Sequence, residues 1–425
     1  WSTDPGLPLE AWYQSSVTER FFVHGELSNG VRYYSAVRAS NALGSAVVSA
    51  VASGVPGSRS WGPATQLEPD PSVDFASAAT WIASNRLGDT VVLAEKFEDA
   101  VYRLYVWQYA LAGGWIGPEL VSEESGSHHF ATVDIDDNAN VLVAWAGGAP
   151  GERNLYATYR PHGKTFGPRE TVEHYVTEGD ANGDVVGLSH LEFSDDGRAY
   201  VCWRQNRLHD YNGLADVNGA SALLKRFDPL TGWGAERNLE VFNNIGDTRL
   251  LSCDVSGNGK VVAAWERFNT YDPVSSAPAA TEHDVWVAAY SADLGWISSE
   301  TVEFLDDGSR EAGGLGAHNH APRVAVGNQG KAAVIWYNAS EVEIQAIEYD
   351  FSTAQWLPQE TLESRSNQIP DGHSHRLATS ERGDIVVSWG DKFRIRTSQA
   401  TKWARSKTLP AAAEHLGFDE SGAPY

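Results

Sequence analysis

The sequence predicts an all-β fold, a seven-bladed β-propeller of four-stranded antiparallel blades, and three observations carry that prediction. A tail motif recurs seven times, a turn-and-strand motif precedes most copies of it, and the piece missing from the first unit stands at the C-terminus.

The tail motif is an aromatic residue, a few residues, a small apolar residue and usually Glu. It begins at Trp61, Trp115, Phe166, Trp233, Trp296, Trp356 and Trp403. The second motif is a turn followed by an apolar strand, ending at Trp145, Trp203, Trp265, Trp336 and Trp389, with a weaker copy ending at Ala94. A third alternating run lies between the two, as in DVWVAAYSADLGW. Each unit therefore holds four strands: A before the turn, B up to the Trp, C, and D after the aromatic anchor. One such sheet cannot bury both faces alone, so the units must stack as blades. The first B strand ends at Trp12 with no A strand before it. Residues 415–425, HLGFDESGAPY, align with HLEFSDDGRAY at 190–200, so the last strand is expected to complete the first blade. Residues 1–425 then form one domain, with blade one built from 1–68 plus 411–425.

Bulk composition agrees. Sixteen Trp, sixteen Tyr, fourteen Phe and forty Gly, with short Val, Ala and Thr runs between turn residues, favour many short strands. No apolar run is long enough for a membrane-spanning helix. A formal charge of −24 without basic tracts repels nucleic acid and anionic lipid, so neither is expected as a partner. The chain starts at Trp1 and contains no Met. A processed N-terminus and an oxidation-resistant composition point to a secreted or periplasmic protein.

On these motifs the chain resembles secreted bacterial seven-bladed propellers along its whole length, at the level of the superfamily. The DDG and GNG turns lie between strands A and B. Sialidase Asp boxes sit at the outer C–D hairpin instead, so nothing catalytic is carried over from that family.

Loops entering the inner A strands converge at one mouth of a propeller channel, where function is expected. Ten residues before the turn glycine, or its equivalent Ala139, the blades place Ala412, Ala78, His129, Gly187, Arg249, His320 and His373. Thirteen His in 425 residues would put about 0.2 in this register by chance. His128 adjoins His129, HNH contains His318 and His320, and HSH contains His373 and His375. His190 and His415 share a second register, seven before the turn. Imidazoles on rigid strands suit a divalent transition metal, with copper, zinc, iron and manganese all compatible. The expected metal set is His128, His129, His190, His318, His320, His373 and His375. Polar rim residues that cap inner strands would give the same pattern without a metal.

A further reading makes the site catalytic, with His190, His209, Tyr211 and Arg249 as candidates and Arg204 and Arg207 nearby. His, Tyr and Arg at a propeller mouth are similar to the equipment of propeller polysaccharide lyases, although no lyase signature is matched. A small molecule or an extracellular glycan is the expected partner, held either by an enzyme or by a binding or adhesive module. Glu95 and Glu266, which follow strand B, are acid/base candidates without a matched pair. The stretches EFLDDGSREAGG and YVTEGDANGDVV are candidates for calcium. Cys202 on strand B of blade four and Cys253 on strand A of blade five lie at similar heights, as an inter-blade disulfide or as two buried thiols.

Overall fold

The computed structural model describes residues 2–3, 33–35, 40–41, 44–45, 52–54, 67, 74–110, 113–124, 128–148, 153–173, 185–211, 214–239, 246–269, 282–291, 295–301, 319–328, 330–338, 343–364, 375–380, 383–398, 400 and 402–408. The chain divides into two compact units, Trp1–Gln66 with Asp419–Ala423 and Leu67–Phe418 with Pro424–Tyr425. In the first unit β1 (Tyr33–Ser35) pairs with β4 (Ala52–Gly54), and β2 (Ser40–Asn41) with β3 (Gly44–Ser45), both antiparallel. The expected closure through residues 415–425 and Trp12 lies outside the described residues.

The second unit is a series of antiparallel sheets, each reading A-B-C-D from one side to the other. Blade two is β5 (Asp74–Ser84), β6 (Thr90–Glu98), β7 (Val101–Ala110) and β8 (Gly114–Glu124). Blade three is β9 (His129–Ile135), β10 (Val141–Gly147), β11 (Asn154–Arg160) and β12 (Glu170–Thr171). Blade four comprises β13 (Val185–Phe193), β14 (Ala199–Tyr211), β15 (Leu214–Asp228) and a split outer strand, β16 (Gly232–Trp233) and β17 (Arg237–Asn238). Blade five is β18 (Gly246–Val255), β19 (Val261–Asn269), β20 (Glu282–Ser291) and β21 (Gly295–Thr301). Blade six runs through β22 (Asn319–Val326), β23 (Lys331–Asn338), β24 (Glu343–Asp350), β25 (Gln355–Trp356) and β26 (Glu360–Ser364). Blade seven is β27 (Arg376–Thr379), β28 (Ile385–Trp389), β29 (Lys392–Arg396) and β30 (Lys407–Thr408). Among the described residues no helix is long and apolar enough to cross a membrane.

Burial explains the motifs. Strand B is apolar on both faces because it lies between neighbouring blades, and every residue of β10 is buried. The Trp that ends it is the largest filler: Trp145, Trp203, Trp265, Trp336 and Trp389 are all at most 1% exposed. Blade two, with Ala94 in that slot, buries Trp107 from strand C instead. The tail aromatics Phe166, Trp233, Trp356 and Trp403 pack against the rims of these cores.

The A–B turn is the most regular element. In each of the six described four-stranded blades the turn residue donates its N–H to the carbonyl three residues earlier, as Gly197 does to Ser194 at 2.9 Å and Gly259 to Ser256 at 2.8 Å. That residue has positive φ, between 61° at Ala139 and 89° at Gly88, which is why glycine fills it elsewhere. The preceding Asn85, Asp136, Ser256 and Ser380 accept backbone N–H groups with their side chains and preorganise the loop.

Candidate functional site

Alternation on the A strands decides which side chains face the cavity. On β9, Ala131, Val133 and Ile135 are buried in the blade core, leaving Thr132 and Asp134 on the opposite, partly exposed face. The same rule on β13, β18, β22 and β27 produces two layers of equivalent positions. Five residues before the turn stand Ala83, Asp134, Glu192, Asp254, Ala325 and Ala378. Seven before it stand Trp81, Thr132, His190, Ser252, Arg323 and Arg376. The first layer is thus acidic on blades three to five and alanine elsewhere. A cavity of about 430 Å³ opens over it, lined by residues 84–86, 134–138, 192–195, 254–257, 324–328 and 377–380. Arg86 of blade two crosses its rim to Asp137 of blade three and to Asp195 of blade four, the latter at 2.7 Å.

Inner strands of adjacent blades share no ladder, so their edge N–H groups need other acceptors. The acidic layer supplies them. Asp134 Oδ2 accepts from Phe193 N at 2.7 Å, Glu192 Oε2 from Val255 N at 3.1 Å, and Asp254 Oδ2 from Val326 N at 2.6 Å. Each carboxylate clamps the next blade at an equivalent position.

The clamps also form a cluster. His190 Nε2 lies 2.7 Å from Glu192 Oε2 and 3.7 Å from Asp254 Oδ1. One ligand atom from each of the three lies within 4.8 Å of the others. Burial pushes Glu192 up to about 8, with the charge of Asp134 adding to it. Asp254 is held well above the ordinary carboxylate range by burial and then by the charge of Glu192, with which it shares a hydrogen bond. Asp134 rises to about 6, again through burial, against the opposing backbone hydrogen bonds from Phe193 and Ile135. Glu192 and Asp254 still show 34% and 24% side-chain exposure, because they face lumen water while being ringed by protein. The pair therefore retains a proton near neutrality, and three oxygen or nitrogen donors converge on one point.

The predicted residues fall at several places. Of the expected metal set, His190 is the one in this cluster among the described side chains. Four positions of the register ten before the turn are equivalent in the ladders: His129, Gly187, Arg249 and His320 pair with Ala146, Arg204, Glu266 and Tyr337, each directly after a B-strand Trp, whereas Ala78 has no partner in the β5–β6 ladder. A bulge follows it, with positive φ at Phe130, Leu250 and Ala321. This register is five residues, roughly 16 Å of strand, from the acidic layer. His128 is 2% exposed, and its N–H and Nδ1 meet Glu95 Oε1 at 2.5 and 2.9 Å, joining blade three to blade two. His375 is 1% exposed and its Nε2 meets the Ala321 carbonyl of blade six. His129 lies against Phe130, with ring centroids 6.1 Å apart. Gly187 breaks the register because a Cβ there would come within 3.1 Å of the Arg204 guanidinium, which reaches on to the Thr248 carbonyl. His209 and Tyr211 are in the distal part of the β14–β15 hairpin, opposite Val217 and Leu214. His318, His373 and His415 and the two calcium-candidate stretches lie outside the described residues, save the start of β13 at the end of the second. Cys202 and Cys253 form a disulfide between blades four and five.

Asp134, Glu192 and Asp254 are not among the residues singled out from the sequence, where the carboxylates considered follow strand B or lie in the two acidic stretches. Comparing the blades five residues before the turn would have exposed three acids in three consecutive repeats.

No family model matches the chain, and no curated protein matches it. Solved structures do. They include the Dos1 propeller (11% identity, 81% of this chain and 74% of that one, TM-score 0.39). An α-L-arabinofuranosidase from Fusarium graminearum follows at 11% identity, 83% and 86% coverage and TM-score 0.42. An ulvan lyase bound to a glucuronate–sulfated rhamnose unit matches at 11% identity, 77% and 82% coverage and TM-score 0.42. At these values the likeness carries nothing about a site. The described residues form antiparallel β-sheets, and the structures they are similar to include propellers.

Proposed function

We propose that this protein is an extracytoplasmic seven-bladed propeller that holds a divalent transition metal in its axial cavity, on His190, Glu192 and Asp254, and presents it to a small polar ligand or glycan terminus. The observation that carries the reading is the convergence of an imidazole and two carboxyls within 4.8 Å on two neighbouring inner strands. A His plus two carboxylates is a donor set for zinc, manganese or iron that leaves coordination positions open toward the cavity. A cation there would relieve the clustered negative charge that raises the carboxyls, and it would displace the proton they share. The cavity, at about 430 Å³, is the size of a small-molecule site. The Cys202–Cys253 disulfide supports an oxidising compartment.

The test is calorimetry on chelator-treated protein with zinc and manganese in two buffers of different ionisation enthalpy. One saturable site per chain is expected, releasing about one proton at pH 7 and lost in His190→Ala/Asp254→Ala. Absence of saturable binding, or binding unchanged in the double variant, overturns the reading.

The hydrogen bond between Glu192 and Asp254 favours one second reading, in which the pair works without metal as a general acid and base on a glycan. Turnover of an extracellular polysaccharide that survives chelation and fails in Glu192→Gln would select it.

A further inference from the structure

The blade six and seven side of the same cavity carries two arginines. Arg323 on β22 and Arg376 on β27 occupy the same register, seven residues before their turns, as His190 does on β13. Val324 and Val326 are buried in the core between blades, so Arg323 extends to the other face, toward the axis. The two strands are fastened by His375, whose Nε2 meets the Ala321 carbonyl, and this sets the two guanidinium-bearing positions side by side. Arg376 spends one N–H on the His375 carbonyl at 3.0 Å. Arg323 makes no hydrogen bond or ion pair among the described residues. Burial and then the charge of Arg376 push the Arg323 guanidinium below its ordinary value. Cavity-lining residues Val324 and Leu377 are the next ones along the two strands, so the pair stands at the inner boundary of the cavity.

A half-buried arginine beside a second arginine, without a described carboxylate partner, is an unfavourable arrangement for a purely structural residue. Asp254, on the neighbouring strand β18, is engaged with Val326 N and with Glu192. Guanidinium groups are forked donors that match carboxylate, sulfate or phosphate oxygens. We infer that Arg323 and Arg376 form an oxyanion site on the blade six–seven wall of the lumen, which takes the acidic group of a ligand whose remaining part lies in the axial cavity. The inference does not depend on a metal: it rests on the basic wall, whereas the metal reading rests on the acidic one.

The experiment measures thermal stability and calorimetric binding of chelator-treated protein with sulfate, phosphate, acetate and glucuronate at constant ionic strength. Wild type is expected to be stabilised in a saturable manner by at least one of these anions and not by chloride. Arg323→Met keeps the aliphatic stem and removes the charge. It is expected to weaken anion binding at least tenfold while raising the melting temperature of the ligand-free protein by about 2 °C, through relief of the repulsion with Arg376. Arg323→Lys should retain part of the binding. Preference for glucuronate over acetate would identify an acidic sugar as the ligand, and preference for sulfate or phosphate an ester. Equal anion binding in wild type and Arg323→Met overturns the inference, as does a lowered ligand-free melting temperature in Arg323→Met with no anion effect in wild type. Metal binding at His190 should be unaltered in both variants, so the two proposals fail separately.

Discussion

Replacing Glu192 by Gln changes charge at nearly constant shape, and Gln can still accept from Val255 N. In metal-free wild type the folded state holds a proton on the Glu192 site up to about pH 8, against an ordinary value of 4.5 in the unfolded chain. The native state therefore binds more protons across that interval. The stability it contributes is complete below about pH 4.5 and is lost as pH rises through about 8. By linkage the full difference would be about 5 kcal/mol, at about 1.4 kcal/mol per pH unit. Lumen water on a side chain 34% exposed screens this, and halving it leaves ~2 kcal/mol. Glu192→Gln imitates the protonated form at every pH. It should match wild type near pH 4 and exceed it at pH 8.5 by ~2 kcal/mol, roughly 4 °C in melting temperature. Circular-dichroism melts of chelator-treated protein from pH 4 to 9 make the measurement. Parallel profiles for the two proteins, or a less stable Glu192→Gln at pH 8.5, would refute the assignment of a shared, buried proton.

Three other outcomes follow from the packing. Asp134→Ala should cost about 1–3 kcal/mol because it orphans Phe193 N, whereas Asp134→Asn keeps an acceptor and should cost much less; urea unfolding separates them. Removing the disulfide with Cys202→Ala/Cys253→Ala frees a loop of sequence separation 51 and should lower stability by up to about 4 kcal/mol, a loss that reductant reproduces in wild type but not in the variant. Trp145→Ala should cost about 3–5 kcal/mol, since the ring is fully buried between blades, and a denaturant midpoint close to wild type would contradict that burial.

Repeat chemistry makes the sheets legible in the sequence. Trp145, Trp203, Trp265, Trp336 and Trp389 mark strand B, and a residue able to hold positive φ marks every A–B turn, because both are demands of local geometry. The histidine register was legible in the same way, and its cross-strand partners bear out the alignment. What it positions differs from blade to blade: His128 is tied to Glu95, and His375 to Ala321. Side-chain direction at the bulge after that register, where Phe130, Leu250 and Ala321 take positive φ, is not encoded in spacing.

The sequence by itself determined the all-β class, the four-strand unit and the turn register, since strand period, turn conformers and aromatic anchors act over a few residues. Tertiary structure alone decided which acids gather. Asp134, Glu192 and Asp254 are about sixty residues apart in the chain and become neighbours when successive inner strands line one cavity. Their elevated proton affinity is a property of that shared enclosure, where desolvation and mutual repulsion act together, and no window of sequence contains it.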